Sequence, residues 1–194
     1  MALTKFDIIT RATTKLGAEK VNSFDDETVE AQVAQQLYEP TVQAEMSSGY
    51  WNCCRKTFEL SRDVTAPTDA NWQYQFQLPA DYLQVEKAIS ETGQAVTYQI
   101  EGRKVLSNSQ RLFLQYLVRI DENDWPIYLQ DVIVSRLTWQ FSEPLNGEGS
   151  TIARALAEYE RSRRDARRID SQQTPPQTII NNGTAVWVTS REGW

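Results

Sequence analysis

The chain has 194 residues and not one histidine. Without histidine, Ser-His-Asp and Cys-His catalysis, histidine general bases and nearly every catalytic zinc site are excluded. A GxxxxGK phosphate-binding loop is absent as well, and the glycines of residues 145–150 lack the GxGxxG spacing. Paired carboxylates, as in glycosidases, stay open, although among 26 acidic residues some pairing is inevitable. We therefore expect no catalytic residues, no cofactor and no metal site, and a protein that is not an enzyme.

Cysteine is scarce, and its two copies, Cys53 and Cys54, are adjacent. They cannot build a disulfide framework, and a bond between neighbours would be strained. We interpret them as small buried or half-buried apolar residues in a reducing compartment. Long apolar runs are missing too, and the first residues, "MALTKFDIITRATTKLG", are interrupted by charge and do not resemble a signal peptide. These features predict a soluble protein that is made in the cytoplasm.

Basic residues are the minority, with 20 Lys and Arg against 26 Asp and Glu and a net charge of −6. This balance argues against general nucleic-acid binding. A chain of this length usually forms one domain that buries roughly 70% of its unfolded surface.

Helical spacing of apolar residues marks the two ends of the chain. Helices are expected at about residues 4–17, 24–49, 126–142 and 151–169. In the second helix, Val29, Val33 and Leu37 predict the buried face, and Pro40 predicts a kink or a break because it removes a hydrogen bond. In the last helix, the predicted apolar stripe is Ile152, Leu156, Tyr159 and Ala166.

Between about residues 57 and 118 the apolar spacing changes to two, which predicts strands. In "WQYQFQLPADYLQV", large apolar residues alternate with Gln73, Gln75 and Gln77, and Pro79 should end the strand. The predicted apolar wall is Trp72, Tyr74, Phe76 and Leu78, and the glutamines form a face exposed to water or to a neighbouring subunit. The strand of residues 112–118 is apolar on both faces, so we expect it to be central.

Four arginines follow one side of the last predicted helix: Arg154, Arg161, Arg164 and Arg168. Ordinary ion pairs on a solvated face, such as Glu160 with Arg164, are one interpretation. A docking patch for an acidic protein surface is the second, and contact with the DNA backbone is the third.

Residues 171–194 differ from the rest of the chain. They are polar and interrupted by two prolines, which favours an extended arm. Yet the arm carries large apolar side chains: Ile179, Ile180, Val186, Trp187, Val188 and Trp194. Two interpretations remain open, an arm that binds a partner and an arm that packs on its own domain.

The element order, "GYWNCCRK" (residues 49–56) and the aromatic stretch together resemble the head-to-tail adaptor family of short-tailed phages, the tail tubular protein A-like group. The matching positions are Trp51, Trp72, Tyr74, Phe76, Leu78, Pro79, Asp81, Leu83 and Val85. The resemblance covers nearly the whole chain in layout and is specific over about residues 50–85. One departure is that Cys53 and Cys54 stand where we expect an aromatic residue and an alanine.

The resemblance implies an α+β fold: a helical bundle from both halves of the chain with an inserted small antiparallel β-meander. Residues 1–170 would form a single adaptor domain, and residues 171–194 the arm. Such proteins form a dodecameric ring under the portal protein in the virion neck, having been made in the host cytoplasm. The ring extends the channel through which DNA passes without specific binding, and it receives the tail nozzle or the next tail component.

The arginine line and the apolar residues of the arm are then the candidate contacts with the portal or with a neighbouring subunit. No membrane contact is expected. Two other classes stay open. One is a virion-associated cell-wall hydrolase that uses paired carboxylates, and the other is a different joining protein of the neck, such as a stopper.

Overall fold

The structure is a computed structural model and describes residues 3–173. Within this range two α-helices precede a β region along the chain and two follow it, which confirms the predicted α+β class. The helices are α1 (Lys5–Lys15), α2 (Val29–Gly49), α3 (Ile127–Leu145) and α4 (Gly149–Gln172). The strands are β1 (Arg55–Glu59), β2 (Tyr74–Gln77), β3 (Tyr82–Ile89), β4 (Tyr98–Glu101), β5 (Lys104–Ser107) and β6 (Phe113–Val118).

Helix α3 is the centre of the helical part, because α1, α2 and α4 each pack against it. Its side chains Leu129, Ile133, Leu137 and Phe141 are fully buried. Each such side chain stabilises the fold by roughly 1.5–3 kcal/mol through removal of apolar surface from water. The three-helix packing around α3 therefore supplies most of the first hydrophobic core.

Helix α2 departs from the sequence prediction in two ways. It is one continuous helix across Pro40. Pro40 and Gln36, whose carbonyl loses its donor, are both exposed, so water can satisfy that carbonyl. The predicted face is also wrong, since Val29 is 61% exposed. The buried face instead includes Ala31, Ala34, Tyr38, Val42 and Met46, while Val33 and Leu37 lie at its edge. Small alanines let α2 approach its neighbours closely.

The β region forms two three-stranded antiparallel sheets, with the orders β1-β6-β3 and β2-β5-β4. It is therefore not the single meander that was predicted, because β1 and β3 both pair with β6, far along the chain. Strand β6 is central, as expected. Its alternate residues face two cores: Leu114 and Tyr116 lie in the core between the sheets, while Leu117 lies in the helical core. The strand thus joins the β region to the helices.

The aromatic stretch is only partly the predicted strand. Phe76 and Leu78 are buried in the core of the β region, but Trp72 lies outside β2, and both Trp72 and Tyr74 are half-buried. The prediction of a wettable glutamine face is wrong at Gln75, which is only 5% exposed. Gln75 lies opposite Leu106 on β5, and Leu106 is itself buried. Gln75 and its cross-strand neighbour are therefore both shielded from water, so the middle of this face is not exposed.

Candidate interaction surface

The end of α2 carries a fully buried acid, Glu45, which sequence reasoning missed. Its carboxylate accepts hydrogen bonds from Arg136 Nη1 at 2.8 Å and from the Tyr159 hydroxyl at 2.7 Å. Arg163 Nε lies 3.3 Å from Glu45 Oε1. A buried charge is tolerated only when it is paired and hydrogen-bonded. Two hydrogen bonds to Oε2 and the two nearby guanidinium groups supply this pairing, while Oε1 has an ion-pair contact with Arg163 but, among residues 3–173, no hydrogen bond. Burial and the Glu45 carboxylate together raise the pKa of Tyr159 to about 12.

The sequence did hold a signal for this acid. Glu45 continues the face of Tyr38 and Val42 by one helical turn, so its side chain had to meet basic or hydroxyl partners inside the core. The signal was lost because the predicted face of α2 was the wrong one.

Trp51 folds back against the end of α2. It is fully buried, and its indole Nε1 donates to the Glu45 carbonyl oxygen at 3.2 Å. A Cβ on Gly49 would lie 1.9 Å from Trp51 Nε1, so this position requires glycine. Tyr50, at φ 52°, supplies the left-handed turn that ends the helix. The Gly-Tyr-Trp sequence thus sets the direction in which the chain leaves α2.

Two arginines of α4 complete this junction, and neither belongs to the predicted line. Arg163 Nη2 and Arg167 Nη2 donate to the Ser48 carbonyl oxygen at 3.3 and 3.0 Å. The last carbonyls of a helix lack partners within it and carry the negative end of its dipole. The two guanidinium groups therefore cap α2 from the neighbouring helix.

Asp170 anchors the last turn of α4 to the segment after Trp51. Its carboxylate accepts from the Asn52 backbone N–H at 3.2 Å and from the Tyr128 hydroxyl at 2.7 Å. The next residues, Cys53 and Cys54, are free thiols, half-buried and buried respectively, as the sequence predicted. Their sulfur atoms lie 4.0 Å apart, and the hydrogen bond with Cys54 lowers the pKa of Cys53. This segment therefore acts as a packed joint between α2, α3, α4 and β1.

The other residues of the family motif either pack on a hydrophobic core or form polar contacts at the surface. Leu83 packs on the helical core and Val85 on the core of the β region. Pro79 is half-buried, and its carbonyl oxygen accepts from Arg103. Asp81 is exposed and pairs with Lys56 at 2.8 Å, which holds the pKa of the carboxyl below its usual value. The motif thus supports the fold and does not form a pocket for chemistry.

The arginine line lies on the exposed side of α4. Arg154, Arg161, Arg164 and Arg168 are all exposed. Arg161 Nε lies 4.0 Å from Asp165 Oδ2, and both side chains are mostly in water at 81% and 63% exposure. Within residues 3–173 the other three form no ion pair, and the predicted Glu160–Arg164 pair is not formed. The structure therefore brings these four side chains together as one basic face.

The predicted contact residues of the arm lie outside the described residues. They are Ile179, Ile180, Val186, Trp187, Val188 and Trp194.

One cleft of about 390 Å³ lies between α3 and α4 and holds two acids, Asp131 and Asp165. Both acids are exposed, and the cleft is bordered by the exposed apolar side chains of Ile127 and Ile169. Among residues 3–173 we find no group of three or more ligand-type side chains placed to hold a metal ion. In the same range, no helix combines the length and apolar character needed to cross a bilayer.

No protein-family model matches the chain, and no curated protein matches it. The resemblance to the phage adaptors stays a prediction that rests on the residues quoted above.

Proposed function

We propose that this protein is a structural component of a phage virion, a head-to-tail adaptor subunit that docks under the portal protein. The observation that supports this role is the packed joint around Trp51. The motif that carries the resemblance, from Trp51 to Val85, joins a helical bundle to a β region through side chains packed in both hydrophobic cores. Such a motif suits a protein whose function is its shape.

In this proposal, the subunits form a dodecameric ring in the virion neck that extends the DNA channel and receives the tail nozzle or the next tail component. The net charge of −6 suits a channel wall that lets DNA pass during ejection without holding it. The basic face of α4 and the apolar residues of the arm are the proposed contacts with the portal or with neighbouring subunits. Subunits wait in the host cytoplasm before assembly.

The test is mass measurement of the purified protein mixed with the purified portal of the same virion. An adaptor adds as a closed ring that matches the symmetry of the portal, and electron micrographs show added density under it. Failure to bind the portal contradicts the proposal. Addition to a preassembled portal–adaptor complex, but not to the portal alone, would instead identify a stopper or another joining protein.

A cell-wall hydrolase is the second candidate, and the cleft with Asp131 and Asp165 is the observation that makes it testable. Glycosidases place two carboxylates about 5–9.5 Å apart on either side of the scissile bond. A peptidoglycan turbidity assay on the wild-type protein and on Asp131→Asn and Asp165→Asn decides the matter. We expect no clearing by any of them. Clearing by the wild type that either substitution abolishes would overturn the adaptor role.

A further inference from the structure

The exposed side of α4 and the segment that leads into the first turn of α2 carry opposite charge. Helix α4 has six arginines and four acids. Since the whole chain has a net charge of −6 and α4 alone has +2, the rest of the chain carries −8. Much of that charge lies in residues 22–30, "NSFDDETVE", which hold four acids and no basic residue. We call the exposed side of α4, with Arg154, Arg161, Arg164 and Arg168, the arginine face, and residues 22–30 the acidic segment.

The acidic segment is held in a defined place. The Val21 carbonyl oxygen accepts from the Thr10 hydroxyl of α1 at 3.4 Å, and the Phe24 ring lies 5.0 Å from that of Phe6. The Asp26 carboxylate accepts from the backbone N–H of Ser23 at 3.1 Å, which closes a turn. The segment is therefore a fixed feature of the surface, supported by α1 and not by α4.

Both surfaces have charged side chains that pair with no other residue in the part of the chain that the structure describes. Within residues 3–173, Glu27 and Glu30 form no ion pair or side-chain hydrogen bond, and neither do Arg154, Arg164 and Arg168. Unpaired charges at a protein surface attract an oppositely charged surface.

The apolar side chains fit the same pairing. Val29, between Glu27 and Glu30, is 61% exposed. The arginine face carries exposed small side chains, Ala153 and Ala157, beside its charges. A valine can lie against such a flat alanine surface while acids and arginines pair around it.

We propose that the arginine face of one subunit binds the acidic segment of a second copy of this chain. Because the two surfaces differ, each copy uses one surface for each neighbour, and the contact is head-to-tail. Head-to-tail contacts close into a ring or extend into a filament. This contact deepens the adaptor function proposed above, on which its biological meaning rests.

A nucleic acid is the alternative occupant of the arginine face, and the structure favours the protein. Glu158, Glu160 and Asp165 lie among the arginines on the exposed side of α4. These carboxylates would repel phosphates, whereas a protein surface with mixed charges can pair with both signs.

The test is a charge swap followed by sedimentation of the full chain. One variant reverses the arginine face, Arg161→Glu with Arg168→Glu. The other reverses the acidic segment, Glu27→Lys with Glu30→Lys. Matched controls change the net charge by the same amount at other exposed positions, Arg62→Glu with Lys87→Glu and Glu19→Lys with Glu101→Lys. Thermal melts confirm that each variant is folded.

We expect the wild type to associate as its concentration rises at about 0.1 M salt and to lose this association at about 1 M, where the screening length falls to about 3 Å. Each swapped variant alone should remain monomeric, a mixture of the two should associate again, and the controls should behave as the wild type. The proposal is wrong if the wild type stays monomeric at its highest soluble concentration, or if mixing the variants restores nothing. It is also wrong if the arginine face binds fluorescent duplex DNA and the reversal abolishes that binding.

The outcome for the adaptor function is read separately. If mixing the two charge-reversed variants does not restore association but rings still form on the portal, this contact is rejected and the adaptor role is kept. If mixing restores association but the protein does not bind the portal, the contact is kept and the adaptor role is rejected.

Discussion

Glu45 and Phe76 are both fully buried, but they stabilise the fold in different ways. Phe76 removes a large apolar surface from water in the core of the β region. Glu45 forms ion pairs with Arg136 and Arg163 at the contact of α2, α3 and α4. Removing the phenyl ring leaves a cavity, whereas removing the carboxylate leaves cations in a poorly hydrated site.

The first prediction concerns Phe76. Phe76→Ala should lower the free energy of unfolding by about 3–5 kcal/mol, because a buried aromatic side chain is replaced by a cavity. Gln73→Ala, at an exposed position of the same stretch, should change it by less than about 0.5 kcal/mol. Urea denaturation curves of the two variants and the wild type provide the measurement. Equal shifts for both would show that the faces of this stretch are wrongly assigned.

The second prediction concerns Glu45. Glu45→Ala should cost about 3–5 kcal/mol of stability, since it leaves the guanidinium groups of Arg136 and Arg163 without their acid. Glu160→Ala, at an exposed position of α4, is the control and should cost less than about 0.5 kcal/mol. Denaturant unfolding at neutral pH measures both. A loss at Glu45 no larger than that of the control would show that the network does not stabilise the native state.

The secondary-structure elements meet at the end of α2, where the helix, the Trp51 turn and the last turns of α4 are in contact. Gly49 lets the indole lie directly on the helix. Arg163, Arg167 and Asp170 hold the chain from the side of α4. The angle at which the chain enters β1 therefore depends on contacts made by three separate elements.

The third prediction is that Gly49→Ala destabilises the protein by about 1–3 kcal/mol. The added methyl group would lie 1.9 Å from Trp51 Nε1 and would push the indole away from the Glu45 carbonyl oxygen. Gly149→Ala is the matched control, because nothing lies within 4 Å of its added carbon and alanine favours helix. Thermal melts with tryptophan fluorescence report on both. If Gly49→Ala melts at the wild-type temperature, Trp51 is not packed as described.

At the scale of the whole molecule, α4 has a net charge of +2 while the rest of the chain has −8, and the chain continues beyond α4 for the length of the arm. The exposed arginines of the arginine face belong to neither of the two hydrophobic cores that residues 3–173 form. We propose that the arginine face and the arm contact other subunits, and substitution of the exposed arginines should leave the fold intact.

The fourth prediction is that deleting residues 174–194 leaves the melting temperature nearly unchanged and abolishes ring assembly on the portal. Ordering about twenty residues costs roughly 1–2 kcal/mol each in backbone entropy, so the arm needs an extensive contact, which a large partner can supply. Calorimetry and mass measurement with the portal test the two parts. A much lower melting temperature would place the arm in its own domain, and normal assembly would remove its docking role.

The fifth prediction is that the free protein is a monomer or a weakly associated oligomer. A ring that formed freely in solution would compete with ordered addition to packaged heads, and contacts between exposed charges are weak at physiological salt. Sedimentation at micromolar concentration is the measurement. A stable dodecamer in the absence of the portal would contradict this prediction.

The sequence by itself determined the features that depend on neighbours along the chain. The spacing of apolar residues predicted all four described helices, and the apolar residues on both faces of β6 predicted its central position in the sheet. The absence of histidine excluded histidine-dependent catalysis and nearly every catalytic zinc site. Only the tertiary structure decided the features that depend on residues far apart. It selected the alanine face of α2, paired β1 and β3 with β6 instead of forming a meander, and buried Gln75 beside Leu106 of β5. It also gave Glu45 its partners 91 and 114 residues away, because a buried charge is stable only where the folded chain brings its counter-charges together.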